Sequence, residues 1–265
     1  MKWDFDGHVA LVTGAASGIG AATVSAFHAA GAQVIAVDLD AEGLARQRDQ
    51  VAGGSQSIRP IAADISDTDG LRETLAPLIG ELGGLDHLVN CAASFVAAGA
   101  DATRQDWDRS LGVNVAATSM LTAFAADHMP RGGTVVNIAS ISAHVAQPAR
   151  WTYNATKAAI VSLTRGQAMD LAPRGIRVNA VSPGWIWTAE VAKAAGGDRA
   201  RWEPVWGNYH MLRRLGEAGE VADAVLYLSS DGASFITGTE LMVDGGYSGM
   251  GPEGLGETAH FAGSD

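Results

Sequence analysis

Short apolar runs alternate with longer segments rich in alanine and leucine along most of the chain. Seven runs have the length and composition of β-strands: His8–Thr13, Gln33–Asp38, Ser57–Ala63, His87–Asn90, Thr134–Ser140, Ile176–Ser182 and Glu240–Val243. Five intervening segments are long enough to be helices: Ile19–Ala30, Leu71–Leu82, Trp107–Ala126, Thr152–Leu171 and Glu220–Leu228. The runs Val9–Val12 and Val34–Val37 are apolar at every position, as in strands covered on both sides. The alternation predicts an α/β fold with a doubly wound, seven-stranded parallel sheet and helices on both faces.

Length and composition indicate one domain. The 265 residues, 47% of them hydrophobic, lie within the range that α/β folds reach as a single unit, and no repeat or linker divides residues 1–265. The interval 185–214 departs from the alternation, because five aromatic residues stand there among glycines and charges: Trp185, Trp187, Trp202, Trp206 and Tyr209. We interpret this interval as a lobe that covers a substrate.

The charge balance restricts the partners. A formal net charge of −11 disfavours nucleic acid and anionic membranes, and it favours a small-molecule partner. The single cysteine cannot form an internal disulfide, and the first residues lack the apolar run of a secretory signal. No window approaches the roughly 18 consecutive apolar residues of a membrane-spanning helix. We expect a soluble, cytoplasmic protein.

A glycine-rich turn follows the first predicted strand. The segment Thr13-Gly14-Ala15-Ala16-Ser17-Gly18-Ile19-Gly20 stands between that strand and an apolar helix. Glycines in this position permit a tight turn and bring backbone amides close to a pyrophosphate, to which the start of the helix adds a partial positive charge. Gly14, Ser17, Gly18, Ile19 and Gly20 are therefore predicted to bind a dinucleotide. A glycine motif alone can also be a purely structural turn.

Asp38 ends the second predicted strand, about 20 residues after the glycines. A carboxylate there can accept hydrogen bonds from both hydroxyls of the adenosine ribose and would repel a 2′-phosphate. No arginine or lysine stands at Ser17, Leu39 or Asp40 to bind such a phosphate. The pattern predicts NAD in preference to NADP. The alternative is that Asp38 only caps the following helix.

Four polar residues form a candidate proton-transfer set. Tyr153 and Lys157 are four residues apart in a predicted helix and therefore share one face, where the ammonium group favours the phenolate form of the tyrosine. Ser140 ends a predicted strand, at the edge where open α/β sheets place their sites. Asn114 is a polar residue in an apolar helical stretch. The Tyr153 and Lys157 spacing also occurs by chance, so the prediction depends on all four.

The glycine spacing and this polar set resemble the classical short-chain dehydrogenase/reductase family over essentially the whole chain. The resemblance implies a single-domain Rossmann fold, a nicotinamide cofactor, and hydride transfer between a secondary alcohol or ketone and the nicotinamide. It implies Tyr153 as acid/base and Ser140 as a donor to the substrate oxygen. It further implies that Lys157 also holds the nicotinamide ribose and that Asn114 holds a water in a proton path.

Further family positions extend the expected cofactor site, with no metal. They are Asp64 and Ile65 after the third strand, Asn90 after the fourth, and Pro183, Gly184, Ile186 and Thr188 after the sixth. In Asn90-Cys91-Ala92-Ala93, two positions depart from the usual Asn-Asn-Ala-Gly. We expect Cys91 to be a small buried hydrophobe and the backbone at Ala93 to differ slightly, since alanine lacks the freedom of glycine. Asp244-Gly245-Gly246 matches the usual close of the last strand.

The substrate pocket is expected to be polar and partly aromatic. Its candidate residues are Ser94, His144, Gln147, Arg150, Trp151, Trp185 and Trp187. Tryptophan faces beside such polar groups suit a small hydroxylated ring or a sugar acid, with Arg150 as a partner for a carboxylate. Equally, Arg150 could be a surface residue and the tryptophans could cover the core.

Several readings of the whole chain remain open. We expect an NAD-dependent dehydrogenase of a sugar, sugar acid or cyclic alcohol; an NADPH-dependent carbonyl (3-oxoacyl-type) reductase is the main alternative. A sugar-nucleotide epimerase or dehydratase is disfavoured by chain length, and a nucleotide-sensing scaffold by the intact polar set. The helices 107–126 and 152–171 carry small or apolar residues on more than one face, and family members commonly pair there, so we expect a homotetramer. The C-terminal tail spans 247–265, and its residues from Met250 onward are expected to pack over or near the active-site entrance of a neighbouring subunit.

Overall fold

The computed structural model describes residues 3–52, 57–130 and 132–255. Nine strands lie in this part of the chain: β1 (Val9–Thr13), β2 (Gln33–Asp38), β3 (Ile58–Ala62), β4 (His87–Asn90), β5 (Gly133–Ile138), β6 (Ile176–Pro183), β7 (Ile186–Trp187), β8 (Gly216–Glu217) and β9 (Glu240–Val243). The α-helices described are α1 (Gly18–Ala29), α2 (Ala41–Ala52), α3 (Thr68–Glu81), α4 (Arg104–Leu111), α5 (Thr118–Asp127), α6 (Trp151–Leu171), α7 (Ala189–Ala194), α8 (Arg199–Gly207) and α9 (Ala218–Ser229).

The predicted doubly wound sheet is confirmed. Seven strands pair in the order β3-β2-β1-β4-β5-β6-β9, and each neighbouring pair is parallel. The order reverses between β1 and β4, which is the topological switch point where folds of this class bind ligands beyond the carboxyl ends of their strands. The sheet therefore places the glycine turn after β1 and the asparagine at the end of β4 beside one crevice.

Alternate residues of each central strand enter two separate hydrophobic cores. On β1, Ala10 and Val12 pack in the core that includes α1 and α9, whereas Val9 and Leu11 pack in the core that includes α3 and α5. Successive side chains of a strand point to opposite faces, so a strand that is apolar throughout must be covered on both sides. This is the physical basis of the pattern seen in the sequence.

Two helical regions differ from the sequence-based expectation. Helix α2 was not predicted, because its apolar face is limited to Leu44, Val51 and a few alanines. The segment predicted as one helix over 107–126 consists of α4, a π-helical turn over Gly112–Ala117, and α5. Asn114 lies within that turn. Such local widening of a helix often marks functional sites.

The predicted lobe has regular structure. Helices α7 and α8 form most of it, and β7 pairs with β8 as a small two-stranded parallel sheet beside them. Trp185, Trp206 and Trp202 stack in succession, with ring centroids 5.0 Å and 4.9 Å apart. No helix in the described residues is both long and apolar enough to cross a bilayer.

The first part of the C-terminal tail packs against the lobe of its own chain. The Tyr247 ring contacts the rings of His210 and Tyr209, and the Arg213 guanidinium donates to the Gly254 carbonyl. Residues 256–265 lie outside the described residues. That the tail reaches the active-site entrance of a neighbouring subunit stays a prediction.

Candidate active site

The threonine before the glycine turn joins the two strands at the switch point. Thr13 Oγ1 accepts hydrogen bonds from the backbone N–H groups of Cys91 and Ala92, both at 3.1 Å. The same oxygen donates weakly to the Val89 carbonyl at 3.4 Å. One buried hydroxyl therefore fixes the chain after β4 against the end of β1, a role that the sequence alone did not reveal.

Close packing explains two of the glycines in the turn. A Cβ at Gly20 would lie 2.0 Å from the Gly14 carbonyl oxygen, and a Cβ at Gly14 would lie 2.8 Å from the Ala92 nitrogen. Gly14 also has a φ of +67°, which disfavours a side chain. The backbone of the turn consequently folds closely onto itself at the start of α1, where Ser17 is the N-cap and Ile19 lies in the first turn. This is the arrangement that a pyrophosphate requires.

A cleft of about 540 Å³ opens beside this turn. The cofactor candidates along its wall are Gly14, Asp38, Asp64 and Ile65. Asp38 is held in place by two backbone amides, because Oδ2 accepts from Ala16 at 3.0 Å and Oδ1 accepts from Asp40 at 2.9 Å. Each oxygen keeps a lone pair for a further donor. The Asp38 carboxylate thus supports the glycine turn and lines the cleft at the same time, and it is more than a helix cap.

The segment after β4 accommodates its two unusual residues. Ala93 does not have a positive φ, so alanine is accepted there without strain. Burial raises the pKa of the Cys91 thiol to about 11, so it stays a neutral, weakly polar side chain. The Asn90 side chain donates to Asn137 at 2.8 Å and to Thr122 at 3.0 Å. Asn90 therefore ties β4 to β5 and α5 inside the fold.

The structure brings Ser140, Tyr153 and Lys157 to the carboxyl end of β5. Ser140 begins a short 3₁₀ turn (Ile141–Ala143) that packs against α6, and its Oγ accepts from the Ser142 amide at 3.1 Å. Lys157 is buried, with Nζ 2.7 Å from the Ile138 carbonyl and 5.5 Å from the centre of the Tyr153 ring. One ammonium proton is thereby fixed by the strand that leads to Ser140. The remaining two can serve ligand groups.

Asn114 connects the loop after β4 to helix α6. Its Oδ1 accepts from the Ser94 amide at 2.7 Å, while Nδ2 donates to the Ser94 carbonyl and to Thr156 Oγ1, each at 3.0 Å. Thr156 precedes Lys157 in α6. The buried amide of Asn114 therefore fixes the backbone of Ser94 relative to the lysine. Its expected role in holding a water stays a prediction.

The segment after β6 lies opposite the glycine turn. Pro183 and Ile186 are buried, and the Thr188 methyl group would lie 3.3 Å from a Cβ placed on Gly18. A Cβ on Gly184 would lie 2.9 Å from the Asp244 backbone. Thr188 and Gly18 are thus close neighbours, so the segment after β6 lies against the first turn of α1.

On the substrate side, one cation is held between two aromatic rings. The Arg150 guanidinium carbon lies 5.2 Å from the Phe95 ring centre and 5.4 Å from that of Trp185. The Phe95 ring meets the Tyr153 ring edge-on at 4.9 Å. Gln147 Oε1 accepts from Arg150 Nη1 at 3.0 Å and from Ser142 Oγ at 2.7 Å. Arg150, Gln147 and Trp185 are therefore gathered next to the tyrosine.

Three other pocket candidates have different surroundings. His144 Nε2 lies 2.7 Å from Glu240 Oε1 on β9, and the Ser182 hydroxyl donates to the same carboxylate oxygen. Trp187 is covered by the Arg199 guanidinium at 5.2 Å, within the lobe. Trp151 is exposed on the first turn of α6. In these surroundings, His144, Trp187 and Trp151 are not part of the group around Arg150.

Sequence reasoning missed Phe95 and His210. Phe95 lies in a loop and no periodicity marks it, although it is a large apolar residue directly after the asparagine segment. His210 is buried, with Nδ1 3.2 Å from the Trp206 carbonyl and Nε2 3.2 Å from the Trp185 amide. Burial lowers its pKa. The sequence signal that could have indicated His210 is its position at the end of the aromatic segment of the lobe.

The crevice and the group at β5 and α6 define a dinucleotide-dependent oxidoreductase. A family model described as enoyl-(acyl carrier protein) reductase matches residues 14–248. The D-threitol dehydrogenase of Mycolicibacterium smegmatis is 36% identical, with 94% of this chain and 96% of that protein covered. The 3-oxoacyl-[acyl-carrier-protein] reductase of Thermotoga maritima is 35% identical, covering 91% and 98%.

A solved structure shows the same fold. A short-chain dehydrogenase/reductase from Brucella melitensis, described as a glucose/ribitol dehydrogenase, superposes with a TM-score of 0.87 at 34% identity, covering 93% of this chain and 99% of that one. The chain belongs to the short-chain dehydrogenase/reductase family.

Proposed function

We propose that this chain is an NAD-dependent dehydrogenase that oxidises a secondary alcohol of a small hydroxylated compound, such as a sugar, a sugar acid or a cyclic alcohol. The observation that carries the proposal is the Asp38 carboxylate on the wall of the adenosine cleft. Two backbone amides hold it there, so it cannot turn aside to admit a 2′-phosphate. Its free lone pairs suit the two ribose hydroxyls of NAD.

The residues around the glycine turn fit a dinucleotide, because the close approach of Gly14 and Gly20 makes a tight turn at the N-terminus of α1, where backbone amides can bind a phosphate. Gly14, Ser17, Gly18, Ile19 and Gly20 would hold the pyrophosphate, Asp64 and Ile65 the adenine, and Lys157 and Thr188 the nicotinamide half. When bound, the nicotinamide supplies the hydride acceptor. The further cofactor candidates Asn90, Pro183 and Ile186 are buried and, with Gly184, would support the cofactor site from within the fold.

The proton is handled by side chains of this chain. The substrate hydroxyl would lie between Ser140 and Tyr153, with Ser140 donating a hydrogen bond to the oxygen and the Tyr153 phenolate accepting the proton. The ammonium group of Lys157, buried 5.5 Å from the centre of the Tyr153 ring, is the neighbouring positive charge in this arrangement. Removing a donor such as Ser140 costs about 2.7–4 kcal/mol of transition-state stabilisation in other enzymes.

Two features favour the NADPH-dependent carbonyl reductase as a second candidate. The Thermotoga relative carries the name of a reductase, and Arg109 of α4 lies on the wall of the same cleft as Asp38. An exposed cation there offers charge to a phosphorylated ribose. We expect the fixed Asp38 carboxylate to have a larger effect on the choice between NAD and NADP than this exposed arginine.

Initial rates with NAD and NADP, measured on a panel of sugars, sugar acids and cyclic alcohols at alkaline pH, test the proposal. We expect NADH formation with at least one compound and a higher kcat/KM for NAD. Asp38→Asn should reduce this preference, because the repulsion is removed. Equal or better efficiency of the unmodified enzyme with NADP would contradict the proposal.

A further inference from the structure

We propose that Arg150 and Gln147 form an anion subsite and that the substrate carries a carboxylate a few atoms from the carbon that is oxidised. This inference rests on the proposed oxidation of a small hydroxylated compound at Tyr153. The observation behind it is the position of the Arg150 guanidinium, over the rings of Phe95 and Trp185. An alditol or a neutral sugar carries no negative charge that could pair with a cation held in this way.

The donors of Arg150 are largely uncommitted. A guanidinium group has five N–H donors. Among the described residues, Gln147 Oε1 accepts one of them and no carboxylate forms an ion pair with this arginine. Among the described arginines of the lobe, Arg199 and Arg214 are paired with glutamates, whereas Arg201 and Arg213 form no ion pair. Arg150 is thus a positioned cation with donors left for a ligand.

Gln147 adds donors on the same side. Ser142 and Arg150 both donate to its Oε1, which settles which end of the amide is the oxygen. Its NH₂ group therefore remains available to a carboxylate oxygen. An arginine fork beside an amide NH₂ is a favourable set of donors for a planar carboxylate.

The backbone before Arg150 is strained. Ala149 has a φ of +54°, a left-handed conformation that is unfavourable for a residue other than glycine. Gly99 allows this turn, because a Cβ there would lie 3.2 Å from the Ala149 Cα. Strain of this kind persists where the surroundings impose it, and it clusters at binding sites. Here it sets the direction in which the chain enters the N-cap position of α6, which Arg150 occupies.

The location suits the substrate. Phe95 contacts both the Arg150 guanidinium and the Tyr153 ring, so the cation lies one ring away from the catalytic phenol. The surface carries a net charge of −11, which repels anions in general. A fixed cation at the pocket provides the local attraction that an acidic substrate needs.

Matched pairs of hydroxy acids and alditols of three to six carbons, for example threonate with threitol and gluconate with glucitol, test the subsite. We expect kcat/KM to be higher for at least one acid than for its alditol. In Arg150→Gln, kcat/KM for that acid should fall about 10- to 100-fold through KM, as the loss of a charge-assisted bond predicts. The KM for NAD and the rate with the alditol should change less than about threefold.

Two variants serve as controls. Arg48→Gln removes the same charge from α2, where Arg48 pairs with Asp49, and should leave the acid preference intact. Arg150→Lys keeps the charge without the fork and should restore part of the affinity. An equal effect of Arg150→Gln on acid and alditol would overturn the inference.

Calorimetric titration of the NAD-saturated enzyme with the same compounds separates this inference from the proposed function. Binding of an acid that depends on Arg150, without NADH formation, would sustain the subsite and contradict the proposed oxidation. Oxidation of alditols with no acid binding more tightly than its partner would sustain the dehydrogenase and overturn the subsite.

Discussion

The backbone amide of Trp185 donates a hydrogen bond to Nε2 of His210, across 3.2 Å. The opposite ring nitrogen of His210 faces the Trp206 carbonyl, which can only accept. Nδ1 therefore carries the proton and Nε2 is the acceptor. Since Trp185 and Trp206 also stack on each other, one neutral imidazole joins the first residue of the lobe to α8.

The first prediction concerns the lobe in acid. Burial lowers the pKa of His210 below the usual 6.5, so its contribution to folding is present above pH 6.5 and is lost as the pH falls through the folded value. Protonation of His210 puts a proton on Nε2, so that two N–H donors, this one and the Trp185 backbone amide, face each other. Tryptophan fluorescence of the folded protein should change reversibly below pH 6.5, and the change should disappear in His210→Gln.

His128→Gln is the matched control, because His128 also lies near the carbonyl of the residue four positions earlier, Phe124, but on α5. It should retain the fluorescence change. A change that persists unaltered in His210→Gln would contradict this account of the lobe.

The second prediction concerns global stability. Burial and the neighbouring His8 lower the pKa of His87 to about 3. This histidine stays neutral in the folded protein while its unfolded form binds a proton below pH 6.5. The group should therefore remove up to about 1.4 kcal/mol of unfolding free energy per pH unit between 6.5 and 3. Denaturant titrations from pH 7.5 to 5 should show a shallower slope in His87→Gln; an unchanged slope would exclude His87 as the cause.

The third prediction concerns the acid/base residue. Tyr153→Phe keeps the ring that Phe95 contacts and removes the oxygen that accepts the proton. We expect kcat to fall by about 10²- to 10⁴-fold with NAD affinity near that of the unmodified enzyme. Tyr227→Phe, on α9, is the control and should keep full activity. Turnover above a few per cent in Tyr153→Phe would remove this residue from its assigned role.

The fourth prediction concerns the glycine turn. In Gly20→Ala the new methyl group would lie 2.0 Å from the Gly14 carbonyl oxygen, which cannot move aside without distorting the turn. We expect a loss of about 1–3 kcal/mol in unfolding free energy and a weaker affinity for the dinucleotide. Gly80→Ala is the control, because a Cβ there meets nothing within 4 Å and alanine favours the helix. Unchanged dinucleotide binding in Gly20→Ala would contradict the structure of this turn.

The fifth prediction concerns assembly. Trp151 and Met169 are exposed on α6, and Leu111 and Met120 are exposed on the segment from α4 to α5. Apolar surface on these helices supports the expectation of a homotetramer. Light scattering at micromolar concentration should give four times the chain mass of 27.3 kDa. Met169→Lys should lower that mass, whereas Gln50→Lys on α2 should not; a monomeric mass for the unmodified protein would refute the tetramer.

Much of the fold could be predicted because its signals are local. The central strands are apolar at successive positions, and Tyr153 and Lys157 share a helical face at a fixed spacing. The π-helical turn around Asn114 could not be predicted, since one extra residue in a turn hardly changes the hydrophobic period. Helix α2 was missed because the few apolar residues of its face, led by Leu44 and Val51, give a weak pattern.

The surroundings of Arg150 could not be predicted from the sequence. Phe95, Arg150 and Trp185 come from three separate loops, and only tertiary structure brings their side chains together. The reverse holds for His144, which the sequence placed in the pocket and which the structure pairs with Glu240. Residues close to Ser140 in sequence need not face the same space as Ser140.

The two hydrogen bonds that Asp38 accepts, from Ala16 and from Asp40, also bear on enzyme engineering. A designer who exchanges this aspartate for a neutral residue, hoping to change the coenzyme preference, deprives at least one of the two main-chain amides of its acceptor in the same step. The affinity gained at the ribose would then be offset by a looser turn. A successful conversion needs a replacement side chain that accepts from both amides, with the new positive charge introduced at a different position.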